Sequence, residues 1–187
     1  MIWDNISKIP SKNYICGYCG NTSLSQVGYT SDEVSKIYIC YHCSKPTFFA
    51  NSDSQTPEPY IKSEIAGISD ESVKKLYEEI CRSYSAKAYT VSVLGAKKLI
   101  MNIAVSKGAE ENKLFIQYVE YLWSNYYIHP AAREWTDQVK DIGNDAAHEI
   151  KLMMESDAKN LIHFIEMLLK IIYDFPSRIK KRESDNA

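Results

Sequence analysis

The sequence contains no long uninterrupted apolar segment. Its N-terminal residues, MIWDNISKIP, lack the apolar core of a secretory signal peptide. The most apolar stretch, LIHFIEMLLKIIY near the C-terminus, is interrupted by His163, Glu166 and Lys170, which excludes a membrane-spanning helix. With 45% hydrophobic and 25% charged residues, the composition is typical of a soluble globular protein. We therefore expect a cytoplasmic protein without a membrane partner.

The chain also lacks a large excess of charge of one sign. Its formal net charge is −2 over 187 residues, which argues against a protein that coats nucleic acid through bulk electrostatics. A local basic patch is not excluded by that value. Tyrosine, in contrast, is abundant, with 14 residues. Because tyrosine rings are amphipathic, they suit helix interfaces and surfaces that bind a partner.

Four of the five cysteines form two C-x-x-C pairs, CGYCG and CYHC, which contain Cys16, Cys19, Cys40 and Cys43. Two thiolates separated by two residues can bind one tetrahedral Zn²⁺ from a tight turn, and the distance between the pairs fits a single four-thiolate site. Such a site has no open coordination position for water, so we predict that the zinc is structural. Two alternatives are a pair of disulfides, which the missing signal peptide disfavours, and His42 as a substitute ligand.

The residues around the cysteines alternate like short β-strands. VSKIYIC precedes the last two cysteines and TFFA follows them, which predicts a small β zinc ribbon over residues 1–50. Because so small a module buries little surface by itself, its folding should be coupled to metal binding. Three roles remain open for it: a reader of nucleic acid, a docking site for a protein, and a cap on the following domain.

The remainder of the chain has helical periodicity. A polar, proline-containing linker over residues 51–60 leads into an all-α bundle over residues 61–180, with no strand after Pro59, and residues 181–187 form a frayed, basic tail. We expect Gly95 to bend or split the first long helix and Pro176 to end the last one. Cys81 lies on an apolar stripe and is interpreted as a core residue rather than a nucleophile.

One polar segment of the bundle, KDIGNDAAHEI, is a candidate site. If it is helical, Lys140, Asn144 and His148 lie in one row, because residues four apart share a face. An imidazole beside an amide can act as a general acid or base on a ribose hydroxyl, and a lysine can hold a phosphate. The alternative is that Asn144 and His148 only bond a neighbouring helix end, while Gly143 lets two helices approach. A parallel row of acidic residues favours this second interpretation, since carboxylates repel phosphate.

Three segments in this order, YEEICRSYSAKAYTVSVLGAKKLI, VKDIGNDAAHEI and SDAKNLIHFIEMLLKIIYDFP, resemble the signature blocks of the domain of unknown function 4145 family. The resemblance implies a HEPN-like helical bundle of the kind found with restriction, defence and toxin proteins, preceded by a C-x-x-C ribbon. HEPN ribonucleases carry an R-N-x-x-x-H motif whose sites face each other across a dimer. Asn144 and His148 match this motif, whereas Gly143 stands at the position of its arginine.

The sequence therefore leaves three functions to be compared. We expect a non-catalytic or weakly catalytic HEPN-like module, forming a homodimer and binding nucleic acid or a protein partner in a prokaryotic or phage defence or mobile-element setting. The first alternative is a metal-independent ribonuclease in which His148 is the general acid or base, Asn144 orients it and Lys140 binds phosphate. The second alternative is a structural adaptor in which the same segment only packs helices. Loss of the arginine removes the group best suited to stabilise the charge of a phosphoryl transition state, which favours the first reading.

Overall fold

The structure, a computed structural model, describes residues 2–31, 34–50, 54–59, 63–148 and 152–185, with the side chains of 143–148, 180 and 183–185 left aside. The chain divides into two compact units. The first comprises Met1–Lys62 together with Cys81–Ala88, and the second comprises Ser63–Ile80 together with Tyr89–Ala187.

The first unit contains one antiparallel sheet of five strands arranged in sequence order: β1 (Ser7–Ile15), β2 (Thr22–Thr30), β3 (Lys36–Ile39), β4 (Pro46–Phe49) and β5 (Gln55–Thr56). Strands β3 and β4 confirm the two strands that the sequence predicts. The longer β1 and β2 are not predicted, because β1 contains Pro10 and a register shift between Lys8 and Lys12, whereas β2 buries two serines. Ser23 and Ser25 of β2 are both buried, and the Ser25 hydroxyl donates a hydrogen bond of 2.8 Å to the carbonyl oxygen of Ile39.

Three aromatic rings form the centre of the sheet's buried face. The ring of Phe49 meets the rings of Tyr14 and Tyr38 edge to face, with centroids 5.4 and 5.5 Å apart. These rings pack with Cys16 and Cys40 in one buried cluster. Edge-to-face packing of aromatic rings adds about 0.5–1.5 kcal/mol per pair to the burial of their area. The cluster thus forms the support on which the two cysteine pairs rest.

The second unit is helical, and it begins with the helix α1 (Glu71–Ser85), whose last residues belong to the first unit. The further helices are α2 (Tyr89–Ser106), α3 (Phe115–Ser124), a 3₁₀ turn (Pro130–Ala132), α4 (Arg133–His148), α5 (Glu155–Leu169), a π-helical turn (Lys170–Asp174) and α6 (Phe175–Asp185). Within the described ranges no strand follows Thr56. The predicted fold class, mainly α with an N-terminal β module, is confirmed.

Helix α2 is the central element of the bundle and packs against α3, α4 and α5. The apolar stripe predicted on the last long helix is buried in α5, at Leu161, Phe164, Ile165, Leu168 and Leu169. In addition, the ring of Trp135 on α4 meets the ring of Phe164 edge to face at 5.3 Å. Cys81 is fully buried, as expected of a core residue.

The first long helical segment is interrupted at residues 86–88, so the prediction that Gly95 splits or bends it is wrong. Lys87 adopts a left-handed conformation with φ of 60°, which ends α1 before α2 begins. Gly95 lies inside α2 instead, where a Cβ atom would stand 2.9 Å from Cγ1 of Ile80. Gly95 therefore allows α1 and α2 to pack closely and does not end a helix.

Pro176 does not end the last helix, contrary to the sequence-based expectation. The backbone widens into a π turn just before it, and the N–H of Phe175 bonds the carbonyl oxygen of Lys170, five residues back. A proline inside an α-helix clashes with the carbonyl four residues earlier, and a π turn at that place relieves the clash. The helix α6 then continues to Asp185, through residues that the sequence assigns to a frayed tail.

Candidate metal centre and the α4 segment

Each C-x-x-C pair lies in a turn between two strands, and the two turns have the same hydrogen bonds. In the first, the N–H of Gly20 bonds the carbonyl of Cys16 at 2.9 Å, and in the second the N–H of Ser44 bonds the carbonyl of Cys40 at 2.9 Å. The residue after each second cysteine has a left-handed backbone, with φ of 74° at Gly20 and 56° at Ser44. We call residues 16–20 and 40–45 the two knuckles.

The four cysteine sulfur atoms converge between the knuckles. All four Sγ atoms lie within 4.8 Å of one another, with 3.7 Å between those of Cys16 and Cys43 and 3.8 Å between those of Cys19 and Cys40. These distances are too long for a disulfide, and all five cysteines are free thiols. A tetrahedral zinc ion with Zn–S bonds of about 2.3 Å would place its sulfur ligands about 3.8 Å apart. The donor set therefore fits a four-thiolate zinc site.

The surroundings of the sulfur atoms differ in their electrostatics. Burial raises the pKa of the Cys16 thiol, and it raises that of Cys43 to about 12. At Cys40 burial acts in the same direction, but the backbone N–H groups of Cys43 and His42 donate hydrogen bonds that lower the pKa to about 7. Burial thus opposes ionisation of the Cys16 and Cys43 thiols in particular. A bound divalent cation would supply the charge that compensates them.

The exposed residues of the knuckles are Tyr18, Tyr41, His42 and Lys45. The Lys45 ammonium nitrogen lies 4.9 Å from the centre of the Tyr18 ring. A ring nitrogen of His42, Nε2, lies 3.2 Å from the carbonyl oxygen of Thr22, and His42 is outside the group of four convergent ligands. Gly17 is required by a close approach, since a Cβ atom there would lie 2.3 Å from the carbonyl oxygen of Glu58.

In the helical unit, Lys140 is a buried member of an ion-pair network between α3 and α4. Its ammonium bonds Glu120 of α3 and lies 3.1 Å from Oδ1 of Asp137. Arg133 joins the same two carboxylates at 3.5 and 3.3 Å, and its guanidinium stacks 4.5 Å above the ring of Trp123. In this arrangement the Lys140 charge is balanced by two carboxylates rather than open to a phosphate.

The other candidate residues of this segment lie outside the described side chains. The backbone of Gly143, Asn144 and His148 belongs to α4, as the sequence predicts for a helical segment. Their side chains are not described, so the joint projection of Asn144 and His148 stays a prediction. Lys140 is the member of the proposed row whose surroundings are described.

Sequence reasoning missed two buried carboxylates that hold the segment before α1. Oε1 of Glu166 accepts hydrogen bonds from the Tyr77 hydroxyl at 2.6 Å and from the N–H of Ser63 at 3.0 Å. Asp174 accepts the N–H of Ala66 at 2.8 Å. The signal for both was present: each is an acidic residue inside the apolar helical stretch near the C-terminus, where an isolated charge requires a partner.

These observations define a mainly helical protein with an N-terminal β module in which four cysteine thiols converge at metal-binding distance. A family model described as Domain of unknown function (DUF4145) matches residues 78–185, more than half of the chain. The chain belongs to this family. No curated protein and no solved structure matches it. In the described part of the chain, none of the helices has both the length and the apolarity needed to cross a bilayer.

Proposed function

We propose that the protein is a zinc-stabilised, HEPN-like module that binds nucleic acid without cleaving it. The proposed metal is one structural Zn²⁺ per chain, held by Cys16, Cys19, Cys40 and Cys43. The thiolate donor set supports zinc over divalent metals that prefer oxygen ligands, and four thiolates leave no position for a nucleophilic water. The role of this ion is to hold the two knuckles together.

The observation that carries the binding function is the placement of lysines beside aromatic rings in the β module. The Lys45 ammonium nitrogen lies 4.9 Å from the ring centre of Tyr18, and that of Lys12 lies 4.6 Å from the ring centre of Phe49. The module as a whole has no positive excess, since residues 1–50 contain four lysines and three carboxylates and a zinc ion with four thiolates carries about −2. A cation beside an exposed ring nevertheless favours a partner that combines an anionic group with a planar ring, such as nucleic acid.

The absence of catalysis is supported by the cations near the HEPN-like motif. Gly143 occupies the place of the motif's arginine, and Lys140 is buried against Glu120 and Asp137. Phosphoryl-transfer sites need a cation positioned on the reacting phosphate. The Lys140 ammonium, a cation near the motif, already has two carboxylate partners. The defence or mobile-element setting rests on the family resemblance.

The test is an incubation of the zinc-loaded protein with labelled RNA and DNA in buffer without free divalent metal. We expect retarded migration of the nucleic acid with no cleavage products. Lys140→Met should leave binding unchanged, because its ammonium faces Glu120 rather than a ligand. Cleavage that disappears in His148→Ala would establish the ribonuclease alternative instead, and absence of both binding and cleavage would contradict the proposal.

We also propose that the helical unit forms a homodimer. Two segments of the helical unit expose large apolar side chains: Val91 and Leu94 on α2, and Leu152 and Met154 before α5. The two segments are neighbours, since the N–H of Met153 donates to the Thr90 hydroxyl at 3.0 Å. Clustered exposed apolar residues are typical of interaction surfaces.

The dimer is tested by light scattering. The wild type should have the mass of a dimer at micromolar concentration, and Leu152→Asp should shift this mass toward that of the monomer. A monomeric wild type contradicts the proposal.

A further inference from the structure

We propose that Tyr18, Tyr41, His42 and Lys45, together named the knuckle surface, bind single-stranded nucleic acid by stacking its bases on their rings. This inference rests on the proposed nucleic-acid-binding function and assigns it to a site. The knuckle surface consists of the exposed residues of the two metal-binding turns. It is built beside the proposed metal ligands, because each of its residues lies within two positions of Cys19, Cys40 or Cys43.

The metal centre brings the two halves of the knuckle surface together. Tyr18 precedes Cys19 and Tyr41 follows Cys40, and the sulfur atoms of these two cysteines are 3.8 Å apart. Lys45 connects the halves a second time, since it belongs to the second knuckle and its ammonium lies 4.9 Å from the ring centre of Tyr18 in the first. A ring and a cation from separate turns thus lie against each other, and the second ring, Tyr41, follows a cysteine whose sulfur meets that of the first turn.

The two tyrosine rings of the knuckle surface are exposed, whereas three other aromatic rings of the module form its buried core. Tyr18 is 38% exposed and Tyr41 is 55% exposed, whereas Tyr14, Tyr38 and Phe49 are buried in the sheet. The hydroxyls of Tyr18 and Tyr41 take no part in the hydrogen bonds found among the described residues. Exposed rings on a rigid support lose little conformational entropy when a base stacks on them.

The composition of the knuckle surface selects among classes of partner. An aromatic ring beside an ammonium group matches a base joined to a phosphate, and every base has a face that can stack. Stacking requires unpaired bases, which favours a single strand over a duplex. The two knuckles contain no carboxylate to repel the backbone, whereas the acidic residues of the module, Asp4, Asp32 and Glu33, lie outside them in the sequence. An aliphatic groove for a protein helix is not part of the knuckle surface, whose exposed side chains are two phenols, an imidazole and an ammonium group.

The experiment measures fluorescence anisotropy of labelled oligouridine, its deoxythymidine counterpart and a blunt duplex with the full-length, zinc-loaded chain. We expect Tyr41→Ala and Tyr18→Ala each to weaken binding of the single strands by about tenfold, and Tyr41→Phe to retain it. Lys45→Gln should lower the slope of log affinity against log salt by about one. The matched control is Tyr126→Asn, which removes an aromatic residue of the helical unit that is 81% exposed. Asparagine is chosen because it tolerates the positive φ of this position.

Zinc content and melting temperature verify that each variant is folded before its binding is compared. Single strands bound by the wild type, lost in the knuckle variants and retained in Tyr126→Asn would support the inference. Equal binding by the wild type and by Tyr18→Ala, Tyr41→Ala and their double variant would overturn it while the nucleic-acid function stands. A preference for the duplex would also overturn it. No binding of any oligonucleotide by the wild type would remove the proposed function itself.

Discussion

Three charged residues that the helical unit buries within the described part of the chain each have a partner. Lys140 faces Glu120 and Asp137, Glu166 accepts from Tyr77 and Ser63, and Asp174 accepts from Ala66 and from Nε of Arg178 at 2.8 Å. A buried group without such a partner would cost several kcal/mol. At this scale each charge is therefore tied to a particular neighbour, and removing one side of a pair is more harmful than removing an exposed charge.

We predict that Glu166→Ala lowers the free energy of unfolding by about 2 kcal/mol, because the buried Tyr77 hydroxyl loses its acceptor and the Ser63 N–H keeps only the Tyr77 oxygen. Chemical denaturation followed by circular dichroism measures the change. Glu134→Ala removes an exposed carboxylate from α4 and should alter the stability by less than about 0.5 kcal/mol. A Glu166→Ala variant as stable as Glu134→Ala would contradict the assigned role.

At the scale of elements, the segment before α1 is held along the end of the bundle by side chains of α5 and of the π turn. Glu166 and Asp174 bond its backbone at two points, and Gly67 with φ of 75° allows it to pass Ser177, whose Cβ would lie 2.5 Å from a Cβ at position 67. The π turn places Asp174 at the second point. The π turn thus contributes to holding the segment before α1, because it contains the carboxylate that bonds Ala66.

The attachment at Asp174 should depend on pH. The hydrogen bond from the Ala66 N–H, assisted by Arg178, lowers the pKa of Asp174 below its ordinary value of 3.8. Its contribution to stability is therefore complete above that ordinary value and is lost as the pH falls through the lowered pKa. We expect the melting temperature of wild type to exceed that of Asp174→Asn at neutral pH and the two to converge in strong acid. A constant difference at all pH values would contradict this coupling.

The two knuckles offer a matched pair of backbone substitutions. Gly20 and Ser44 occupy equivalent left-handed positions, with φ of 74° and 56°. A side chain in this conformation costs about 1 kcal/mol. We therefore predict that Gly20→Ala destabilises the β module and Ser44→Gly stabilises it, each by about 1 kcal/mol. Thermal unfolding of the zinc-loaded chain tests both, and effects of the same sign would contradict the equivalence of the turns.

At the scale of the whole molecule, two compact units are joined in one chain, and the proposed metal belongs to the first. Sheet residues of this unit supply a small aromatic core, whereas the helical unit buries a large aliphatic core that includes Leu99, Ile103, Leu122 and Leu168. Small modules generally require a metal or disulfides to remain folded, because they bury too little apolar area. The stability of the two units should therefore respond differently to metal removal.

We expect one zinc ion per chain by elemental analysis and its loss in Cys40→Ser, whereas Cys81→Ala retains it because Cys81 lies outside the cluster. Chelation of the metal should unfold the β module and abolish nucleic-acid binding, with most of the helical circular dichroism signal preserved. Limited proteolysis of the β module and far-ultraviolet circular dichroism of the helices follow the two processes separately. Full retention of zinc in Cys40→Ser would contradict the assigned ligand set.

Several features of this protein follow from its sequence alone. The two C-x-x-C pairs predict the four convergent sulfur atoms, since ligand spacing within a turn is a local property. The period of Leu161, Phe164, Ile165 and Leu168 predicts the buried face of α5 for the same reason. The signature blocks also identify the family, which the match over residues 78–185 confirms. Each of these predictions depends on residues that are close in the chain.

Other features are decided by contacts between distant residues. The polar strand β2 forms because Ser25 finds a partner across the sheet, and the last helix continues past Pro176 because a π turn removes the clash. Lys140 could be placed on a helix face from the sequence, but its ion pair with Glu120 joins α4 to α3 across 20 positions. The sequence alone therefore determined periodicity, ligand spacing and family, which are local patterns. Only the tertiary structure decided which buried charges meet and which rings of the knuckles remain exposed, because both depend on how separate elements pack.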